Sequence, residues 1–174
     1  MNLAIRFSGD EKRIVVPYSG RHLNPAVEWY KLGNPVWMAF RAACNEILRH
    51  CVLPSGFKNS CYRLLGVKIG KDVIIGPLVF IDPLFSELIT IEDGAIIGGD
   101  VFISAHEFLA NETHIGKVCI RKKAVVGIRC TIRSGVTIGR NSIVGICSYI
   151  GKDIGNNEFW GGVPARLIRR LEHE

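Results

Sequence analysis

No stretch of this chain reaches the roughly 18 apolar residues that a membrane-spanning helix requires. Its first residues include Arg6, Asp10, Glu11, Lys12 and Arg13, a charge pattern unlike a secretory signal. The six cysteines (Cys44, Cys51, Cys61, Cys119, Cys130 and Cys147) form no CxxC pair and share no zinc spacing with a histidine. They read as reduced, buried or half-buried thiols of a cytoplasmic protein. Basic and aromatic residues do not interleave on one face, which argues against a nucleic-acid partner despite a net charge of +6. That charge, densest at Arg121, Lys122, Lys123 and at Arg166, Arg169, Arg170, suits a small phosphate-bearing ligand.

What the chain has in excess is glycine, unevenly spread: 15 of the 19 glycines fall between Gly66 and Gly162. The same region keeps time in sixes. An aliphatic residue occupies Ile69, Ile75 and Ile81; after a gap of ten, Ile91, Ile97 and Ile103; after a gap of seventeen, Ile120, Val126, Ile132, Ile138, Val144 and Ile150. All twelve slots are Ile or Val, and glycine follows seven of them. Two positions before each slot stands another small or apolar residue, from Val67 to Ser148.

Within each six the side chains run inward, outward, inward and then turn, the period-two pattern of a short strand. A period of six does not match the 3.6 of a helix, and no two-residue hairpin turns separate the strands. The pattern therefore predicts a mainly β solenoid with three flat faces, each strand pairing with its counterpart one turn away around a shared apolar core. Its four coils are 69-75-81, 91-97-103, 120-126-132 and 138-144-150.

This repeat, with "TIGRNSIVGICSYIGKDI" and the closing "GGVPARLIRR", resembles the hexapeptide-repeat acyltransferases over about residues 60 to 170. The resemblance implies a left-handed parallel β-helix, a homotrimer, and an acetyl-coenzyme A dependent acyl transfer that needs no metal. Neither handedness nor trimer follows from the period itself.

Both gaps follow the third slot of a coil, so the two inserts, 82–88 and 104–117, should emerge at one corner, stacked. His106 stands where the longer one, a loop insertion over 105–117, departs. Imidazole can take a proton at cellular pH, as acyl transfer from a thioester to a hydroxyl or amine requires. "SAHEF" also resembles the family's active-site histidine loop, which implies a general base at His106. Its second nitrogen needs an orienting partner. Asp82, at the matching corner one coil earlier, is the better-placed candidate; Glu92 or a backbone carbonyl would serve equally. Glu107, pointing opposite to His106 in an extended chain, is a candidate substrate contact. His114, in the return limb, is either surface decoration or a substrate contact.

For the donor, exposed backbone in the glycine-led turns favours Ile128 and Ile146 beside the pantetheine arm. By resemblance, Lys152, Arg166 and Arg169 meet the coenzyme's phosphate end. Relatives carry Thr or another side chain where this chain has Gly151, which removes one polar contact. Trp160 either covers the coenzyme or seals the last coil. "ARLIRRLEHE" reads as a short C-terminal helix with Leu167 and Leu171 inward.

Three segments result: an N-terminal helical or irregular cap (1–64), the repeat (65–155) and a coenzyme-contacting tail (156–174). In the cap, "NPVWMAFRAACNEILRHCVLP" predicts an amphipathic helix with Phe40, Ala43, Cys44, Ile47, Leu48 and Cys51 on one face and Arg41, Asn45, Glu46 and Arg49 opposite. "FKNSCYRLL" adds a second short helix. The job expected of the cap is to cover the open solenoid end; Trp29, Trp37 and the apolar face raise a weak, peripheral membrane-surface contact. "RIVVPY" is strand-like.

The function expected is O- or N-acetyl transfer to a small hydroxylated or amino acceptor such as a sugar. The alternatives are a non-catalytic scaffold and a zinc hydratase resembling the γ-class carbonic anhydrases. The latter needs converging histidines with a His-x4-His pair, whereas His106 and His114 are eight apart.

Overall fold

The computed structural model describes residues 7, 11–17, 34–110 and 112–172. His22, the Asn24-Pro25 turn, Trp29 and His173 lie outside these.

The repeat folds into three parallel sheets, with successive strands entering each sheet in turn. The first holds β2 (Lys68–Ile69), β5 (Ile89–Ile91), β10 (Val118–Ile120) and β13 (Thr137–Ile138). The second holds β3 (Ile74–Ile75), β6 (Ile96–Ile97), β11 (Val125–Val126) and β14 (Ile143–Val144); the third holds β4 (Phe80–Ile81), β7 (Phe102–Ile103), β12 (Thr131–Ile132) and β15 (Tyr149–Ile150). The slot residues pair in register: Ile69-Ile91-Ile120-Ile138, Ile75-Ile97-Val126-Val144 and Ile81-Ile103-Ile132-Ile150. Every slot except the partly buried Ile69 is buried, as is every residue two positions earlier. Each buried Ile or Val among them contributes about 1.5–3 kcal/mol of transfer free energy before chain entropy is set against it. Ile154 bridges to Ile138 and Trp160 pairs with Val144, so the columns continue beyond the four coils read from the period.

The corners divide their work between two positions. Glycine directly after a slot lets neighbouring coils approach: a Cβ on Gly127 would lie 2.8 Å from the Ile146 nitrogen. The left-handed turn itself comes three residues after the slot, at Asp72, Leu78, Gly94, Asp100, Lys123, Arg129, Gly135, Asn141 and Cys147. Most of these are not glycine, so repeated coil-to-coil pairing holds them in a costly conformation.

Two helices lie against the first coil. Helix α1 (Pro35–His50) starts at Asn34, whose side chain accepts from the Val36 and Trp37 amides, and Pro35 suits its first turn. Helix α2 (Ser55–Leu64) follows. The inward stripe of α1 corrects the sequence reading: Met38, Arg41, Asn45 and Leu48 are buried, whereas Trp37, Phe40 and Ile47 are exposed. The reason is the polar demand of the surface beneath. Arg41 hydrogen-bonds Ser86 and meets Glu87 Oε2 at 2.5 Å. In α2, Asn59 donates to Val73 O at 2.7 Å, Lys58 to Gly76 O at 2.9 Å and Arg63 to Ile69 O at 2.9 Å. These are carbonyls of the first coil that would otherwise need another donor.

The tail departs from the reading too. β16 (Glu158–Gly162) adds to the second sheet beside β14, and β17 (Ala165–Arg170) returns antiparallel on β16. The expected C-terminal helix is thus a strand. The cause is the free edge of β16, on which the reversal at Gly162–Pro164 folds the chain back. Leu167 is exposed, and the Leu171 amide donates to Asn157 O.

Candidate active site

At the corner after the third sheet, ladder hydrogen bonds join the four coils in succession. Asp82 N donates to Ile103 O, Ser104 N to Ile132 O, and Arg133 N to Ile150 O, at 3.0–3.1 Å. The first insert holds a single 3-10 turn, Ser86–Leu88. The second, read from the sequence as a loop insertion, is a β-hairpin, β8 (His106–Phe108) and β9 (Glu112–Gly116). Its far edge is covered by β1 (Arg13–Pro17), within the stretch read as strand-like, which pairs antiparallel with β9.

Asp82 is fully buried at this corner. One carboxylate oxygen accepts from the Leu84 and Phe85 amides at 3.0 and 3.3 Å. The other accepts from the Ala105 amide at 2.8 Å and lies 2.5 Å from His106 Nδ1. A carboxylate bonded this way can only accept, so Nδ1 carries the hydrogen and the neutral imidazole presents an Nε2 lone pair. The ring is held edge-on to Phe85 (centroids 5.5 Å apart) and tilted against Phe108 (4.6 Å). Its side chain is 19% exposed, and no described residue engages Nε2.

Glu107 faces the other way. Its carboxylate takes Arg133 Nε at 2.9 Å, Ser134 Oγ at 2.7 Å and Arg13 Nη2 at 3.1 Å. Burial pushes this carboxyl up, but the hydrogen bonds from Ser134 and Arg133 and the charges of Arg133 and Arg13 outweigh it, and the net shift is downward. His114, cross-strand from Glu107, accepts from Arg13 at Nδ1, and its Nε2 lies 2.6 Å from Glu112 Oε1. The structure therefore brings Asp82 to His106, and groups Glu107 with His114 in a separate charged cluster. Glu92 is elsewhere, bound to Arg121 and the Lys122 amide. Arg13, Arg133 and Ser134 escaped the sequence reading; the one available signal was that position 133 stacks on 82 and 104. Among the described residues, no group of three or more His, Cys, Asp or Glu side chains gathers as a metal site.

Of the expected donor residues, Ile128 and Ile146 lie along a different corner, between the second and third sheets, whereas Lys152 follows Ile150 at the third-sheet corner. A groove of about 330 Å³ between the second and third sheets is lined by Pro77, Leu78, Gly99, Asp100, Ile128 and Arg129. Ile146, one coil further, is 65% exposed. Trp160 is buried in the core, its Nε1 donates to Glu158 and its face carries the Lys152 ammonium at 5.1 Å. Arg166 and Arg169 stand on β17, in register with Gly161 and Phe159.

No family profile matches the chain. Among curated proteins it is 39% identical over 118 residues to the candidate acetyltransferase YvoF of Bacillus subtilis (strain 168), covering 67% of this chain and 69% of that one. It is 34% identical over 149 residues to the candidate acetyltransferase SAS0727 of Staphylococcus aureus (strain MSSA476), covering 79% and 92%. Among solved structures, the hexapeptide-repeat acetyltransferase VCA0836 of Vibrio cholerae, complexed with acetyl-coenzyme A, has a TM-score of 0.65 at 20% identity, covering 88% of this chain and 95% of that one. A galactoside acetyltransferase in complex with coenzyme A has a TM-score of 0.63 at 23% identity, covering 79% and 82%. The chain belongs to the hexapeptide-repeat acetyltransferases.

The depressed Glu107 carboxyl makes a prediction about stability. A group whose folded pKa lies below its unfolded value (about 4.3) stabilises the fold above that unfolded value and loses this contribution as pH falls through the folded one. Glu107→Gln should therefore melt below the wild-type chain at pH 7, and the difference should close on acidification below pH ~4. Thermal melts across that range check it; a gap that is constant with pH contradicts it.

Proposed function

We propose that the protein transfers an acetyl group from acetyl-coenzyme A directly to a hydroxyl or amino group of a small acceptor such as a sugar, with His106 as general base. The observation that carries this is the buried Asp82 holding His106 Nδ1 at 2.5 Å, which turns Nε2 outward from the stacked corner. As the acceptor attacks the thioester carbonyl, Nε2 takes its proton; the tetrahedral oxyanion is met by backbone N–H groups. The intermediate then collapses, and the departing coenzyme thiolate takes the proton back. Asp82 fixes the ring's orientation and balances the transient imidazolium. Acetyl-coenzyme A is a substrate here and no metal takes part.

We place the pantetheine arm along the Ile128 and Ile146 corner, and the phosphate end by Lys152, Arg166 and Arg169. Trp160 seals the last coil and carries Lys152 on its face. Within one chain this corner is separated from that of His106 by a strand of about four residues, roughly 13 Å. A donor lying there meets the imidazole of another copy, which favours a homotrimer of left-handed β-helices with sites between subunits. The outward column of the second sheet supports such contact, since Ile74, Ile96 and Ile143 are exposed along it. On this reading the two helices within 1–64 cap the column, 65–155 form it, and the tail within 156–174 serves the coenzyme; the enzyme works in the cytoplasm.

His106→Ala should reduce acetyl transfer by at least ~100-fold with coenzyme binding and melting temperature preserved. Turnover on an acceptor panel, followed by coenzyme thiol release, checks this, and retained turnover contradicts it.

The outward face of α1 supports a second, weaker association. Trp37 and Phe40 stack at 5.3 Å, and with Cys44, Ile47, Leu48, Cys61, Leu64 and Leu65 they line an apolar groove of about 350 Å³. None of the described helices is long and apolar enough to cross a membrane. Such a face suits the surface of a bilayer. Flotation with anionic vesicles should carry the wild-type chain and leave Trp37→Glu/Phe40→Glu behind; equal partitioning would end the idea.

A further inference from the structure

The hairpin that carries His106 is held from both sides, and only one side belongs to the mechanism above. β8 is the edge strand of the sheet β1-β9-β8, so among the described residues β9 is its only strand partner. Because neighbouring residues in a strand point to opposite faces, His106 reaches Asp82 on the first coil while Glu107 reaches Arg133 and Ser134 on the third. The strand is thus pinned between two corners of the stack it left. Arg13 closes the arrangement from outside. Placed by β1 across β9, it bonds both Glu107 and His114, and His114 in turn meets Glu112.

We propose that Glu107, Arg133 and Arg13 form a positioning clamp that sets the height of His106 against the acetyl group. The N-terminal strand is then part of the catalytic apparatus without touching substrate. The inference rests on His106 acting as the base. Glu107 and His114 serve the clamp and not the acceptor, so their loss acts on turnover and leaves acceptor affinity alone.

The geometry explains why the clamp takes this form. Glu107 Oε1 and Oε2 are each 2.9 Å from Arg133 Nε, and Oε1 also takes the Ser134 hydroxyl. Ser134 is buried, and the Glu107 side chain is only 21% exposed. A charge-assisted bond in that setting is stronger and more directional than a solvated surface pair. A displacement of about 1 Å at a reacting atom costs on the order of 100-fold in rate, so a neutral substitute that keeps the shape but weakens the tie should be visible in turnover.

The test uses Glu107→Gln and Arg13→Gln in the full chain, with two readouts. The first is steady-state kinetics: kcat should fall by about 10- to 100-fold with KM for acetyl-coenzyme A and for the acceptor within about twofold. Arg13→Lys, which keeps the charge, should recover part of the loss. The second is amide hydrogen exchange, in which 106–108 and 112–116 should exchange faster in both glutamine variants while the coils at 118–150 do not. A folded variant with unchanged kcat overturns the clamp, as does a raised acceptor KM at constant kcat, or unchanged exchange in the hairpin. If wild-type protein and His106→Ala are equally inactive on every acceptor, the proposed function has failed instead, and the exchange data still decide whether the clamp holds the hairpin.

Discussion

Parallel pairing in register, Ile81 to Ile103 to Ile132 to Ile150, is the constraint from which the site descends. Because the side-chain period in a strand is two, a slip of one residue would turn every slot outward, so burial of the columns fixes the register. Once it is fixed, residues 82, 104 and 133 must lie above one another. The two excursions between coils can then leave only at that corner, and groups far apart in sequence face each other there. Asp82 and His106 meet because the longer excursion leaves the stack at Ser104, the position directly above Asp82, and His106 follows two residues later.

The same stack assigns opposite duties to two carboxylates. Asp82, without solvent exposure, spends its lone pairs on three amides and one imidazole, which fixes both the insert and the ring. Glu107 is held by cations and a hydroxyl on the far face of the strand. The nitrogen proposed as the base projects from a strand fastened at both surfaces. Catalytic groups held on a rigid frame lose little rate to reorganisation, and here the frame is the repeat itself.

Much of this was legible in the sequence because hexad spacing is a regular signal: the slots, the coil boundaries, the stacked inserts and the choice of Asp82 all follow from counting. What was not legible depends on demands made by neighbours. The buried Arg41 of α1 looks like part of a solvent face until Ser86 and Glu87 of the first insert are known to lie beneath it. "ARLIRR" has a helical reading as good as its extended one, and the free edge of β16 decides between them. Left-handed Leu78, Lys123 and Arg129 carry no local mark at all, since only their place three residues after a slot imposes that conformation. The Arg13 contact joins segments whose pairing has no sequence periodicity to announce it.

The central claim is that Asp82 leaves His106 with a hydrogen on Nδ1 and a free lone pair on Nε2. A long-range proton–nitrogen correlation spectrum of ring-labelled protein reads this directly. The account predicts that the neutral His106 ring shows the Nδ1–H form, and that Asp82→Asn disturbs that resonance while leaving His114 unmoved. An Nε2–H form in the wild-type protein would place the proton on the nitrogen meant to accept it, and would contradict the account.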